Sequence, residues 1–176
     1  MTGWTPSQTV GPFFRIGFAW MDSERIGDAR TANGRISIRG RLLDGAGEGI
    51  GDGMLEVWQA DPRGHYADGS APGFGRIPTA EDGSFAFTTF MPGRVPGPER
   101  TLQAPHLLVS VFARGMLKRA ATRMYFPGAT ALDEDPILAL VEPQRRATLV
   151  AKAAGPQAFE WNVVLQGAAE TVFFDL

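Results

Sequence analysis

The chain has 176 residues with 17 basic and 19 acidic side chains, a net charge of −2, and is long enough to bury one self-sufficient core. It contains no cysteine, two histidines and two tyrosines, which excludes disulfides, thiolate metal sites and a cysteine nucleophile. Without a basic stripe, a membrane-length apolar run or a signal-peptide pattern, the chain is expected to be cytoplasmic, with no nucleic-acid or membrane partner.

Short segments in which apolar and polar residues alternate follow one another along the chain. They are rich in Val, Ile, Phe and Trp and are separated by glycine, proline and aspartate turns, a pattern typical of β-strands. The first segment, for example, places Ile36, Ile38 and Leu42 at even spacing. The predicted strands are Arg35–Leu43, Met54–Ala60, Ser84–Thr89, Leu107–Ala113, Arg119–Phe126, Ala147–Ala151 and Phe159–Gln166.

This succession of strands predicts an all-β fold, an antiparallel β-sandwich with short helical segments in the connecting loops. The glycine-rich stretch Gly45–Gly53 fails the G-x-G-x-x-G spacing and precedes a strand, so it predicts a flexible connection rather than a phosphate loop. No repeat or linker divides the chain. Residues 1–176 are therefore expected to form a single domain with an extended N-terminal arm over about residues 1–30.

One short helix is predicted at Asp133–Val141, where Asp133 or Asp135 would cap it and Pro136 would lie in the first turn. The acidic run at its start offers oxygen ligands for a hard cation. Because consecutive side chains diverge, a solvated helix start is the favoured interpretation.

Four side chains in or beside the predicted strands are candidate functional groups. Tyr66 follows the turn after the strand LEVWQA, and His106 begins the strand LLVSVFA, so together they could contribute to a metal site. Ordinary hydrogen bonds are the alternative for both. Arg114 ends an apolar strand beside a glycine, where its guanidinium could bind a carboxylate. A surface arginine is the alternative, and Arg123 allows the same two interpretations.

The run LEVWQAD followed by Gly64-x-Tyr66 resembles the signature of the intradiol ring-cleaving dioxygenases, ferric enzymes that open catechols between their two hydroxyls. The resemblance continues through TPSQTVGPFF, AEDGSFAFTTFMPG, APHLLVSVFARG, RMYFPG and GAAETVFFDL, in order and over nearly the whole chain. The opening block and the FARG and ETVFFD elements resemble the alpha type of chain in two-chain members of the family, rather than the iron-bearing beta type.

The family holds Fe(III) with two tyrosines and two histidines. The resemblance implies that these four positions are Tyr66, Val95, His106 and Leu108 in this chain, so two of the ligands are replaced by aliphatic side chains. One phenolate and one imidazole offer too few donors to retain Fe(III). We therefore expect no metal in this chain, with Tyr66 and His106 as relics that make structural hydrogen bonds at most.

The resemblance further implies a homologous beta subunit that carries the complete two-Tyr, two-His iron site, with this chain forming a wall of that active site. The implied reaction cleaves protocatechuate (3,4-dihydroxybenzoate) with O₂ to 3-carboxy-cis,cis-muconate, in a higher-order assembly of alpha-beta units. Thr9, Gly11 and Pro12, in an extended N-terminal segment, and Arg114, facing the substrate carboxylate, are the expected substrate-binding residues. No catalytic residue is expected on this chain alone.

Two alternatives to this subunit hypothesis remain at the level of the sequence. The chain could be a catalyst acting alone with another metal, or a non-catalytic β-sandwich binding module. Metal analysis of the purified chain and co-expression with a homologous chain separate the three hypotheses.

Overall fold

The computed structural model describes residues 9–27, 34–66, 73–129 and 131–175, apart from the side chains of residues 12 and 15. The strands in these residues alternate buried and exposed side chains, as expected where one face of a sheet covers a core. They are β1 (Arg35–Leu43), β2 (Met54–Gln59), β3 (Phe74–Pro78), β4 (Ser84–Phe90), β5 (Val95–Pro96), β6 (Leu102–Gln103), β7 (His106–Phe112), β8 (Ala120–Tyr125), β9 (Lys152–Gly155), β10 (Ala158–Glu160) and β11 (Val163–Val164).

Two sheets form the body of the molecule, which confirms the predicted sandwich. One is antiparallel throughout, in the order β3-β2-β7-β8, and the other joins β4, β1, β11, β10 and β9. A single apolar core lies between them, with Ile38 from β1 and Phe87 from β4 packed in the same cluster as Val57 from β2 and Val109 from β7. A smaller cluster around Tyr125 and Leu149 lies outside this core.

The second sheet differs from the prediction because β10 and β11 run parallel to β1. A hairpin reverses the chain between β9 and β10, and its turn residue Gln157 has a φ of 56°. The carbonyl oxygen of Gln157 accepts a hydrogen bond from the backbone N–H of Ser37, which sets the register of β10 beside β1.

Five of the predicted strands agree closely with the structure. β1 has the predicted bounds, β2 and β4 differ from theirs by one residue at one end, and β7 and β8 differ by one residue at each end. The prediction of a strand at Ala147–Ala151 is wrong, because a 3₁₀ helix occupies Pro143–Thr148 and the strand begins at Lys152. The predicted Phe159–Gln166 strand is divided into β10 and β11 at Trp161 and Asn162.

Helical structure also departs from the prediction. The predicted helix Asp133–Val141 is reduced to a 3₁₀ turn at Leu138–Leu140, and Asp135 is fully buried rather than solvated. The remaining 3₁₀ segments are Ala19–Met21 and Pro98–Arg100. Gly45–Gly53 connects β1 to β2 as predicted.

The N-terminal arm is described only in part, since residues 1–8 and 28–33 lie outside the described residues. Within it, Pro12–Phe18 forms helix α1, which the sequence analysis did not predict. Gly11 is extended, but Pro12 begins the helix, so the expected extended segment ends at Gly11. Proline suits this position because the first helical residues need no N–H partner within the helix. No helix within the described ranges is long and apolar enough to cross a membrane.

Candidate functional site

Tyr66 and His106, the two retained ligand positions, contact each other. The Tyr66 hydroxyl lies 3.3 Å from Nε2 of His106, and Nδ1 of His106 lies 2.7 Å from the carbonyl oxygen of Ala104. Because a carbonyl oxygen can only accept, Nδ1 carries the hydrogen in this arrangement. Nε2 of the neutral ring therefore accepts the hydrogen of the Tyr66 hydroxyl.

Burial keeps both groups of this pair uncharged at neutral pH. Burial lowers the pKa of His106 to about 4, and the positive charge of Arg123 acts in the same direction. Burial raises the pKa of Tyr66, against a smaller opposite effect of Arg123. The pair is thus a neutral phenol on a neutral imidazole, whereas binding to Fe(III) would require a phenolate.

A tight turn after β2 positions Tyr66. Oδ1 of Asp61 accepts hydrogen bonds from the backbone N–H groups of Arg63 and His65, at 2.8 and 2.9 Å. Gly64 has a φ of +84°, and an added Cβ there would lie 1.9 Å from the carbonyl oxygen of Arg94. The glycine of the Gly64-x-Tyr66 motif therefore allows this turn to lie directly against the chain that leads into β5.

The two replaced ligand positions are aliphatic side chains in strands of the same region. Val95 is 4% exposed and pairs in register with Gln103. Leu108 is partly buried in β7 and lies opposite Arg123 of β8. Neither side chain offers a lone pair to a metal.

Arg123 lies among these positions. Its Nη1 donates a 2.6 Å hydrogen bond to Oε1 of Gln103 and lies 3.4 Å from the hydroxyl oxygen of Tyr125. Its guanidinium carbon is 5.9 Å from the centre of the Phe174 ring. The sequence left Arg123 open between a surface and a site position, and the structure places it, partly buried, opposite Leu108 and in contact with Gln103 and Tyr125.

The donors present do not fit Fe(III). One phenol and one imidazole face an arginine, and a guanidinium can neither donate a lone pair nor lose its charge. Across the described parts of the chain, no group of three or more His, Asp or Glu side chains is arranged to hold a metal ion.

Arg114 lies at the other end of β7 from the relic pair. The seven residues of β7 span roughly 20 Å, with His106 at the start and Arg114 two residues beyond the end. Arg114 is 66% exposed at its side chain and its Nε donates to Oδ2 of Asp52. Within the described ranges neither Nη atom has a hydrogen-bond partner, so both remain available to a carboxylate.

The N-terminal segment lies beside Arg114. Val10 N donates to Met116 O, and Gly115 N donates to Val10 O, both at 3.0 Å. Thr9 is exposed and Gly11 partly buried, and an added Cβ at Gly11 would meet nothing within 4 Å. The structure thus brings three of the predicted substrate-binding positions together near the end of β7. The side chain of Pro12 lies outside the described residues.

Helix α1 packs beside the same end of β7, and it is the feature that the sequence did not predict. Phe14 packs on Phe112 at the end of β7, with ring centres 5.3 Å apart. Phe13, Ile16 and Trp20 point away from the protein and are 81%, 67% and 80% exposed. Apolar residues at spacings of three and four in FFRIGFAW were the available signal for an amphipathic helix.

One cavity lies away from these residues. It has a volume of about 780 Å³ and is lined by residues that include Arg39, Arg41, Thr79 and Glu160, along the outer side of β1 and β4. None of the predicted site residues contributes to it. Cavity size therefore does not identify the candidate site, and the chemistry of the side chains does.

A family model described as Dioxygenase matches residues 11–167. Over 192 aligned residues, which cover 97% of this chain and 96% of the relative, the chain is 39% identical to the protocatechuate 3,4-dioxygenase alpha chain of Pseudomonas putida. It is 31% identical over 156 residues to the protocatechuate 3,4-dioxygenase beta chain of Burkholderia cepacia, covering 78% of this chain and 66% of that one.

Solved structures show the same fold. The dioxygenase domain of a dioxygenase carbohydrate-binding protein fusion from Streptomyces sp. SirexAA-E superposes with a TM-score of 0.65 and 25% sequence identity. The match covers 93% of this chain and 100% of that one.

Proposed function

The chain belongs to the intradiol ring-cleaving dioxygenase family, and we propose that it acts as the alpha chain of a protocatechuate 3,4-dioxygenase. In this proposal a homologous beta chain holds the Fe(III), and the present chain supplies part of the wall of that active site. The observation that carries the proposal is the loss of two ligand positions, at Val95 and Leu108, in a chain that otherwise aligns over its full length with an alpha chain.

The position of Arg114 supports this role. Because it lies at the opposite end of β7 from Tyr66 and His106, it has no part in the relic site of its own chain. Asp52 accepts a hydrogen bond from Nε and so holds the guanidinium, which leaves both Nη atoms without a hydrogen-bond partner among the described residues. A carboxylate matches that fork of two donors, and protocatechuate differs from catechol by one carboxylate.

The exposed face of α1 lies next to these residues, at the same end of β7. Phe13 and Ile16 of α1 and Trp20 of the 3₁₀ segment after it come soon after Gly11 in the chain, so an apolar surface adjoins the proposed substrate wall. A large exposed apolar patch is typical of a protein interface. We include this face in the proposed contact with the beta chain, since a wall of a partner's active site must itself lie at the interface.

The reaction proposed for the assembled enzyme adds O₂ to protocatechuate and yields 3-carboxy-cis,cis-muconate, which retains all atoms of both reactants. The iron of the beta chain supplies the ring-cleaving chemistry. The residues of the present chain bind and orient: Arg114 pairs with the carboxylate, and the segment Thr9–Gly11 covers the substrate and excludes water.

Co-expression with a homologous chain that carries the complete ligand set tests the proposal. We expect a stable complex that cleaves protocatechuate, with iron bound only in the presence of the beta chain. Stoichiometric iron in the present chain alone would support a catalyst acting by itself. Absence of both a complex and cleavage would favour a non-catalytic binding module.

Arg114→Ala in the assembled enzyme is expected to lower kcat/KM for protocatechuate roughly tenfold, because an exposed charge-assisted hydrogen bond contributes about 1.5 kcal/mol. Cleavage of catechol, which lacks the carboxylate, should change little. Steady-state kinetics with both substrates measures the difference. Lys118→Ala removes an exposed positive charge from the same end of β7 and serves as the control. Equal losses on the two substrates would exclude the carboxylate contact.

A further inference from the structure

Arg123 is connected to both of the lost ligand positions. It lies opposite Leu108 in the register of β7 and β8, so the two side chains are neighbours on one face of the sheet. Its 2.6 Å hydrogen bond to Gln103 connects it to Val95, which is the register partner of Gln103 in the β5–β6 hairpin.

Arg123 is also linked to the two retained positions, through Tyr125. Tyr125, whose hydroxyl oxygen lies 3.4 Å from Nη1 of Arg123, is the register partner of His106. Nε2 of His106 in turn accepts a hydrogen bond from the hydroxyl of Tyr66. Arg123 is therefore linked to all four positions that correspond to metal ligands: to Leu108 directly, to Val95 through Gln103, and to the Tyr66–His106 pair through Tyr125.

A buried carboxylate balances this positive charge. Asp135 is fully buried, and its Oδ1 accepts a 3.2 Å hydrogen bond from the Tyr125 hydroxyl. Tyr125 can therefore donate to Asp135 while it accepts from Arg123. The guanidinium, the hydroxyl and the carboxylate form one connected polar chain that leads from the relic site into the smaller core cluster.

We propose that the guanidinium of Arg123 takes the place of the metal cation in the relic site, so that the site is stabilised by a fixed internal charge and rejects iron. A guanidinium does not lose its proton in proteins, so this charge is permanent. A metal ion at the same place would meet a like charge at short range and partly outside water. Restoring the missing ligands alone would therefore leave the site unable to bind iron.

Two variants of the full chain test this inference without any partner, so the result is independent of the proposed assembly. One carries Val95→Tyr and Leu108→His, and the other adds Arg123→Met, which keeps the apolar stem and removes the charge. After anaerobic loading with Fe(II), exposure to air and gel filtration, we measure iron content and the visible phenolate-to-Fe(III) absorption.

We expect stoichiometric iron and a coloured protein only when Arg123→Met is present. A third variant combines Val95→Tyr and Leu108→His with Arg123→Lys, which keeps a positive charge. This variant should stay free of iron. Equal iron binding by the first two variants would overturn the proposal, as would a folded triple variant, verified by circular dichroism, that remains without iron.

If the triple variant does not fold, a comparison of stabilities tests whether the positive charge of Arg123 stabilises the site. In the otherwise native chain, Arg123→Met should lower the unfolding temperature more than Arg123→Lys, because lysine still places a cation beside Tyr125. Equal shifts for the two substitutions would show that the charge has no role, and would overturn the proposal.

Discussion

Asp135→Ala is expected to lower the free energy of unfolding by about 4 kcal/mol, since it removes a buried charge that satisfies several donors. The carboxylate accepts hydrogen bonds from the backbone N–H groups of Ala104, Ile137 and Leu138, at 2.7, 2.9 and 2.7 Å, and from the Tyr125 hydroxyl. Alanine would remove the acceptor of all four donors, three of which are buried and one partly buried. Urea unfolding of the purified chain measures the loss.

Asp133→Ala provides the matched control, because Asp133 is an exposed carboxylate two residues away. We expect that substitution to change the free energy of unfolding by less than about 0.5 kcal/mol. Asp135→Asn keeps one acceptor oxygen and should fall between the two. Similar losses for Asp133→Ala and Asp135→Ala would contradict the role assigned to the buried carboxylate.

The sequence predicts an element well when the residues of that element alone determine its structure. β1 was predicted at its exact bounds because Ile36, Ile38 and Leu42 alternate with polar residues along one strand. The two-residue strands β5 and β6 have no such period, and they exist because Val95 and Gln103 meet across a turn. Periodicity cannot detect a pairing of this length.

The two wrong predictions have different physical causes. Ala147–Ala151 has the composition of a strand, but Pro143 fixes the start of a 3₁₀ helix that continues to Thr148. Asp135 has the sequence context of an exposed helix cap, yet its carboxylate is buried by contacts with Ala104 and Tyr125, which are distant in sequence. A nearby proline therefore overrode the strand composition in the first case, and tertiary contacts overrode the local preference in the second.

The positions of the candidate site also differ in whether the local sequence or the tertiary structure determines them. Its positions Tyr66, Val95, His106 and Leu108 followed from the resemblance to a family, since motif blocks preserve order and spacing. The position of Arg123 depends on the register between β7 and β8, which no motif records. For this reason the sequence left Arg123 undecided between the surface and the site.

Gly64→Ala is expected to lower the free energy of unfolding by about 4 kcal/mol, because it combines an unfavourable backbone conformation with a collision. Gly64 has a φ of +84°, and the new Cβ would lie 1.9 Å from the carbonyl oxygen of Arg94. That oxygen belongs to the backbone and cannot rotate away, so the turn before Tyr66 must separate from the segment that leads to Val95. Urea unfolding of the purified chain measures the loss.

Gly47→Ala separates the two contributions, since Gly47 also has a φ of +84° but an added Cβ there meets nothing within 4 Å. The backbone conformation alone should cost about 1 kcal/mol. The displacement of the turn should also alter the contact between the rings of Trp58 and Tyr66, now 5.0 Å apart at their centres, and with it the near-ultraviolet circular dichroism. Equal losses in the two variants, with an unchanged spectrum for Gly64→Ala, would mean that the close approach to Arg94 does not hold the turn in place. The larger loss at Gly64 is expected because this glycine joins the two chain segments that carry the first two ligand positions, whereas Gly47 lies in an exposed connection.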